Sequence, residues 1–158
     1  MTSHFEIRFV VDVMLGRLSK WLRVMGCDAH YQSFYKEGII DGFIRDGRLL
    51  LSRNRRIIDK YNPSLFIESE QVQTQLQEIR KKGYISLNRS QWFTRCLVCN
   101  IQLERISLED AKVHIPEYIF SQNNSGIHFC TSCGRYFWPG SHKTRMMSQV
   151  SEWLLKND

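Results

Sequence analysis

The stretch Phe5–Asp28, FEIRFVVDVMLGRLSKWLRVMGCD, decides how the chain is read. Its first part, Phe5–Val13, is rich in β-formers and closes around an acidic residue, Asp12, which predicts a strand. Leu15, Leu18, Leu22 and Met25 then recur at helical spacing, so a helix is expected from Leu15 to Met25, with Gly26 just past its end. The unit repeats downstream. A strand near Ala29–Gln32 and a helix over about Lys36–Asp46 come next, followed by the compact apolar strand Arg48–Ser52 and a short helix over Arg55–Tyr61. Ser64–Glu68 reads as a fourth strand, and Ser69 should cap a helix carrying Val72, Leu76 and Ile79 on one face. Strands alternating with helices through short connections predict right-handed crossovers and a parallel sheet. Ligand sites of such sheets collect at the carboxyl ends of the strands, which singles out Asp12 and the segment Ser52-Arg53-Asn54.

From about Ser86 the pattern changes. Cys96-x-x-Cys99 and Cys130-x-x-Cys133 are two close cysteine pairs, each able to sit on a tight turn and aim both sulfurs at one ion. Asn100 and Gly134 follow the pairs and tolerate the left-handed backbone such turns need. A closed structural zinc site is the expected result, and it leaves no open position for chemistry. His128 is a reserve ligand; His114 is expected to be structural or exposed. Leu103–Phe120 forms an insertion between the two cysteine turns, and a terminal helix should run through Trp153. The chain thus divides into residues 1–85, an α/β domain, and residues 86–158, a zinc ribbon with insertion and C-terminal helix. Cys27 is expected to be a small core residue.

At 158 residues, 42% hydrophobic and with three prolines, the chain has the composition of a folded globule. No segment approaches the roughly 18–20 apolar residues that span a bilayer, so no membrane partner is expected. Glu6, Arg8 and Asp12 interrupt any apolar run of secretory length, and a cytoplasmic location follows as the expectation. The net charge of +6 favours a polyanionic partner. Arg17, Lys20 and Arg23 fall on one arc of the first helix, while Arg48, Arg53, Arg55 and Arg56 flank the third strand. Clusters of this kind hold phosphate backbones.

The segments VDVMLGRLSKWLRVMGCD (Val11–Asp28), GRLLLSRN (Gly47–Asn54), CLVC, and CTSCGRYFWPGSHKTRM (Cys130–Met146) together resemble the Mut-seven C-terminal RNase family. That resemblance covers nearly the whole chain, in order. It implies a PIN-like three-layer α/β/α domain with a central parallel sheet, followed by a zinc ribbon, and RNA, single-stranded in the first instance, as substrate. It further implies an acidic pocket for Mg²⁺ or Mn²⁺, ions that make water nucleophilic and neutralise phosphate charge. Asp12 matches the first acidic position of the family. The middle acid corresponds to Glu37 or Asp41. Where the family usually carries an aspartate, this chain has Asn54, an amide with no charge. His142 matches a Gly-Ser-His element and is a candidate RNA contact. The reading is a metal-dependent ribonuclease. Two alternatives stay open: a non-catalytic RNA-binding module with its acids weakened by Asn54, and a protein-interaction adaptor docking through Tyr136-Phe137-Trp138.

Overall fold

A four-stranded sheet organises the first half of the chain in the computed structural model, which describes residues 6–122 and 126–155. Strands β1 (Phe9–Val11), β2 (Ala29–Tyr31), β3 (Leu49–Ser52) and β4 (Ser64–Phe66) lie in the order β2-β1-β3-β4, all parallel. Helices α1 (Gly16–Val24), α2 (Ile39–Arg45) and α3 (Arg55–Lys60) make the crossovers, and α4 (Val72–Lys81) follows β4. The expected first strand is shorter than its apolar run: it begins at Phe9, and Phe5 lies outside the described residues.

Side-chain alternation splits the sheet into two apolar faces. Phe9, Val11, Leu49 and Leu51 pack against Leu18 and Leu22 of α1 and Leu76 and Ile79 of α4. Val10 and Leu50 face the other way, against Ile40, Phe43, Ile44 and Ile57 of α2 and α3. The result is the three-layer α/β/α arrangement. Leu18, Leu22, Leu51 and Leu76 are fully buried, each stabilising the fold by roughly 1.5–3 kcal/mol.

Two helices start later than their apolar patterns suggest. Gly38, at φ +85, sets a left-handed turn ahead of α2, so that helix begins at Ile39 and not Lys36. Ser69 does not cap α4. Its Oγ accepts from the Gln71 amide at 3.0 Å, while the Glu78 carboxylate reaches back to the amides of Glu68 and Ser69, both at 2.9 Å. Those bonds satisfy the chain before the helix, and Gln71 becomes the cap position.

In the second half, β5 (Glu104–Arg105), β6 (His128–Phe129) and β7 (Tyr136–Phe137) form an antiparallel sheet in that order. Short helices α5 (Leu108–Ala111) and α6 (Glu117–Gln122) join β5 to β6 around Ala111, Ile115, Ile119 and Ile127. The last helix, α7 (Ser141–Leu155), then returns to the first half. Val150 and Leu154 enter its core, Trp153 meets Trp21 edge-on at 4.8 Å, and Gln77 and Arg80 of α4 donate to the Trp153 and Leu154 carbonyls.

The segment before the first cysteine pair crosses the end of α1 at Gly26. A Cβ there would lie 2.3 Å from the Gln91 carbonyl oxygen, at φ +85. Gly26→Ala should therefore lower stability by at least about 1–3 kcal/mol, read as a fall in the thermal midpoint. An unchanged midpoint would mean that this crossing is not part of the folded core.

Candidate functional site

The strand order reverses between β1 and β3, because the chain leaves β1 to one side and returns to the other. Open parallel sheets bind ligands in the crevice outside the carboxyl ends of such a strand pair. Asp12 follows β1 directly, and its amide donates to the Leu51 carbonyl at 3.0 Å. Its side chain is buried, at 4% exposure, and no ion pair engages it among the described residues. One carboxylate oxygen accepts from the Val13 amide at 2.8 Å and caps the 3-10 turn Val13–Leu15; the other accepts from Ser52 Oγ at 2.6 Å. Ser52 Oγ in turn accepts from the Asn54 amide at 2.9 Å. Asp12, Ser52 and Asn54 are thus one hydrogen-bonded chain across the two strand ends.

Two tyrosines secure the loop after β1. Tyr31 Oη donates to the Val13 carbonyl at 2.9 Å and Tyr35 Oη to the Val11 carbonyl at 2.7 Å. Burial, with the Asp12 charge adding to it, pushes the Tyr35 phenol up to about 12, so it stays a neutral donor. Gly16 fits because a Cβ there would come within 3.0 Å of Tyr31 Oη. Sequence reasoning missed both tyrosines. Their four-residue spacing at the carboxyl end of β2, beside Asp12, was the available signal.

The remaining acids do not close a cage. Glu37 is exposed in the turn before Gly38. Asp41, in the first turn of α2, accepts from Tyr61 Oη at 3.1 Å. Asn54 caps α3, its Oδ1 accepting from the Arg56 amide at 3.0 Å. Among the described residues, these acids form no converging group of three ligating side chains; the four cysteines do. Each Asp12 oxygen keeps an unused lone pair beyond its one hydrogen bond. Mg²⁺ is commonly held by one or two carboxylates, with waters and substrate phosphate completing its shell. Asp12 is thus the residue here with carboxylate lone pairs to offer a divalent ion, a single ligand that would leave the rest of the shell to water or other groups.

The basic residues divide between the two ends of the sheet. Arg17 and Lys20, both exposed, lie on the early turns of α1, just beyond the Asp12 loop. Arg53 follows β3 and reaches the Glu68 carbonyl at 3.1 Å, and Arg55 lies over the Phe66 ring at 3.7 Å. Arg56 is exposed beside them. Arg23 and Arg48 are elsewhere. Helix α1 runs back along the sheet, so Arg23, six residues past Arg17, sits about 9 Å farther along the axis. It is 7% exposed and donates to the carbonyls of Ala29, Leu97 and Val98. Arg48 starts β3, at the amino end, and pairs with Asp28 at 2.7 Å. Both arginines serve the architecture at the end opposite Asp12.

That opposite end carries the cysteines. The four sulfurs lie within 4.8 Å of one another, and Cys96 Sγ is 3.8 Å from Cys133 Sγ. A tetrahedral ion with bonds of about 2.3 Å places its sulfurs about 3.8 Å apart, and none of the cysteines is disulfide-bonded. The two turns are built alike. The amides of Asn100 and Gly134 donate to the carbonyls of Cys96 and Cys130, at 3.0 and 2.9 Å, with φ of 65 and 75. The cluster suits a metal such as zinc. His128 is not needed as a ligand and instead places Nδ1 3.1 Å from the Gly126 carbonyl oxygen. His114 stacks on Tyr136 at 4.9 Å. Burial pushes the Cys27 thiol up to about 12, which keeps it protonated against the core.

The first cysteine turn is tied to the sheet by a polar network. Asn100 donates to Asp28 at 2.7 Å and accepts from the Ala29 amide at 2.9 Å, while Arg95 bridges the carbonyls of Gly26 and Asn100. Hydrogen bonds from Arg48 and Asn100 hold the Asp28 carboxyl below its usual range against the opposing effect of burial.

The family described as Mut7-C RNAse domain matches residues 7–150. No curated protein and no solved structure gives a match. No helix of the described residues is long and apolar enough to cross a membrane.

Proposed function

The chain belongs to the Mut7-C RNAse domain family, and from that premise we propose that it is a metal-dependent ribonuclease cutting RNA at the carboxyl ends of β1 and β3. The observation that carries this reading is the buried Asp12 carboxylate, without a cationic partner among the described residues and hydrogen-bonded to Ser52 at the reversal of strand order. In this account Asp12 anchors Mg²⁺ or Mn²⁺, with Glu37 and Asp41 acting through water. The ion supplies neutralisation of phosphate charge and a more acidic water. Ser52 fixes the orientation of the Asp12 carboxylate, and Tyr31 and Tyr35 hold the loop that presents it. Arg17, Lys20, Arg53, Arg55 and Arg56 grip the backbone of single-stranded RNA without reading its sequence. Catalysis falls to residues 1–85, while Cys96, Cys99, Cys130 and Cys133 hold structural Zn²⁺ in residues 86–158. Four cysteines that hold a metal and form no disulfide suit the reducing cytoplasm.

A second reading, an RNA-binding module without cleavage, is favoured by one feature. Asn54 brings no charge, and its carboxamide oxygen is engaged in capping α3. Incubating the zinc-loaded protein with labelled single-stranded RNA separates the two. Products that appear only with Mn²⁺ support the nuclease; RNA shifted in a gel but left intact supports the binding module. Asn54→Asp adds the missing charge while caps of the two residue types are equally good. It should raise the cleavage rate about tenfold or more, measured as initial rates in Mn²⁺; no gain would remove Asn54 from the site.

A further inference from the structure

A cleft of about 600 Å³ lies between the ribbon sheet and the first turn of α7, within the range of roughly 300–1,000 Å³ usual for ligand sites. We propose that it is a second RNA-contact site that takes one unpaired nucleotide, its base on the aromatic wall and its phosphate at the start of α7. The proposal rests on the RNA reading above and extends it to a surface remote from Asp12.

Four observations converge on this occupant. Phe93, Phe137 and Trp138 line the cleft, and flat aromatic faces accept any base by stacking. Among the described residues, every ionisable group of the lining that can carry charge at neutral pH is basic or an imidazole, Arg135, His142 and Lys143 among them, and none is a carboxylate. Lys143 is half-buried with its ammonium 5.3 Å from the Phe93 ring, and it forms no ion pair among the described residues. Burial pulls its pKa down, as expected for a cation without a counter-ion. Gly140, Ser141, His142 and Lys143 line the cleft where the fifteen-residue α7 begins. The first backbone N–H groups of a helix lack helical acceptors and favour an anion. Finally, Phe93 adopts φ 60, a conformation costly to a non-glycine residue, held by the hydrogen bond its amide donates to the Val24 carbonyl at 2.8 Å. Its ring packs against the main core while lining the cleft.

Leu97 and Val98 of the first cysteine turn complete the wall. That turn docks at the amino end of the sheet through Arg23, so one strand must be long to touch both the cleft and Asp12. Length dependence is the signature. Labelled unpaired RNAs of about 4 and about 16 nucleotides, the limits of common single-strand sites, would be titrated into zinc-loaded protein without added Mg²⁺ or Mn²⁺. The longer RNA should bind more tightly and quench tryptophan fluorescence. Arg135→Glu with Lys143→Glu should weaken the longer RNA about tenfold or more and remove its advantage over the shorter one. Trp138→Phe, which keeps an aromatic ring, should remove the quench. Unaltered affinity and quench in all variants would overturn the cleft while the nuclease reading stands. Equal binding of a poly-glutamate of matching charge would overturn it in favour of a protein partner. Failure of the parent protein to bind either RNA would overturn the RNA reading and the cleft together.

Discussion

Cys96→Ser should release the metal, unfold the ribbon and lower the thermal midpoint of the whole chain. Structural zinc contributes about 10–16 kcal/mol in small metal-folded peptides, as much as the entire stability of an ordinary domain, about 5–15 kcal/mol. The ribbon has only a small core of its own around Ala111, Ile115, Ile119 and Ile127. Its loss would also propagate. Arg23, Arg95 and Asn100 connect the first cysteine turn to the α1–β2 corner, and Asp28 there holds Arg48 at the start of β3. Unfolding the turn takes the Leu97 and Val98 acceptors from Arg23, the Asn100 acceptor from the Ala29 amide and the Asn100 donor from Asp28, which costs about 1–3 kcal/mol per group left unsatisfied. Metal content and circular-dichroism melts of parent and variant check this. A variant that keeps its midpoint after losing its metal would mean that the ion does not support the fold.

Asp12→Asn should lower RNA cleavage about a hundredfold or more and leave the fold nearly intact. The substitution removes one charge from the strand ends where the divalent ion is anchored. Its amide oxygen still accepts one of the two hydrogen bonds now made by Val13 and Ser52. The Ser52 hydroxyl, which is donor and acceptor, can rotate to receive the new amide. Stability should change by about 1 kcal/mol. Loss of rate with an unchanged melt places Asp12 in the chemistry; an unchanged rate excludes it.

Much of this architecture was legible because it depends on local periodicity. Short continuous apolar runs such as Phe9–Val11 and Leu49–Leu51 identify strands with two buried faces, and 3.6-residue stripes identify α1 and α4. Short crossovers then force the parallel sheet, and the sheet places Asp12 beside Ser52. The cysteine turns were equally plain, since Asn100 and Gly134 carry the left-handed backbone that each turn needs. Other features depend on contacts far apart in sequence. Arg17, Lys20 and Arg23 share a helix arc, but an arc does not say where along the axis a partner waits. The carbonyls of Leu97 and Val98, 74 and 75 residues away, draw Arg23 out of the basic edge. The return of α7 onto α4 is of the same kind: Gln77 and Trp153 are 76 residues apart. Tyr31 and Tyr35 escaped notice because aromatic residues near a strand end read equally well as packing.

Initial rates of single-stranded RNA cleavage in Mn²⁺, compared among the parent, Asp12→Asn and Asn54→Asp at equal zinc content, test the account most directly. It predicts cleavage by the parent, cleavage slower by about a hundredfold or more by Asp12→Asn, and faster cleavage by Asn54→Asp. Equal cleavage by the parent and Asp12→Asn would contradict it, since the reaction would then lie away from the ends of β1 and β3.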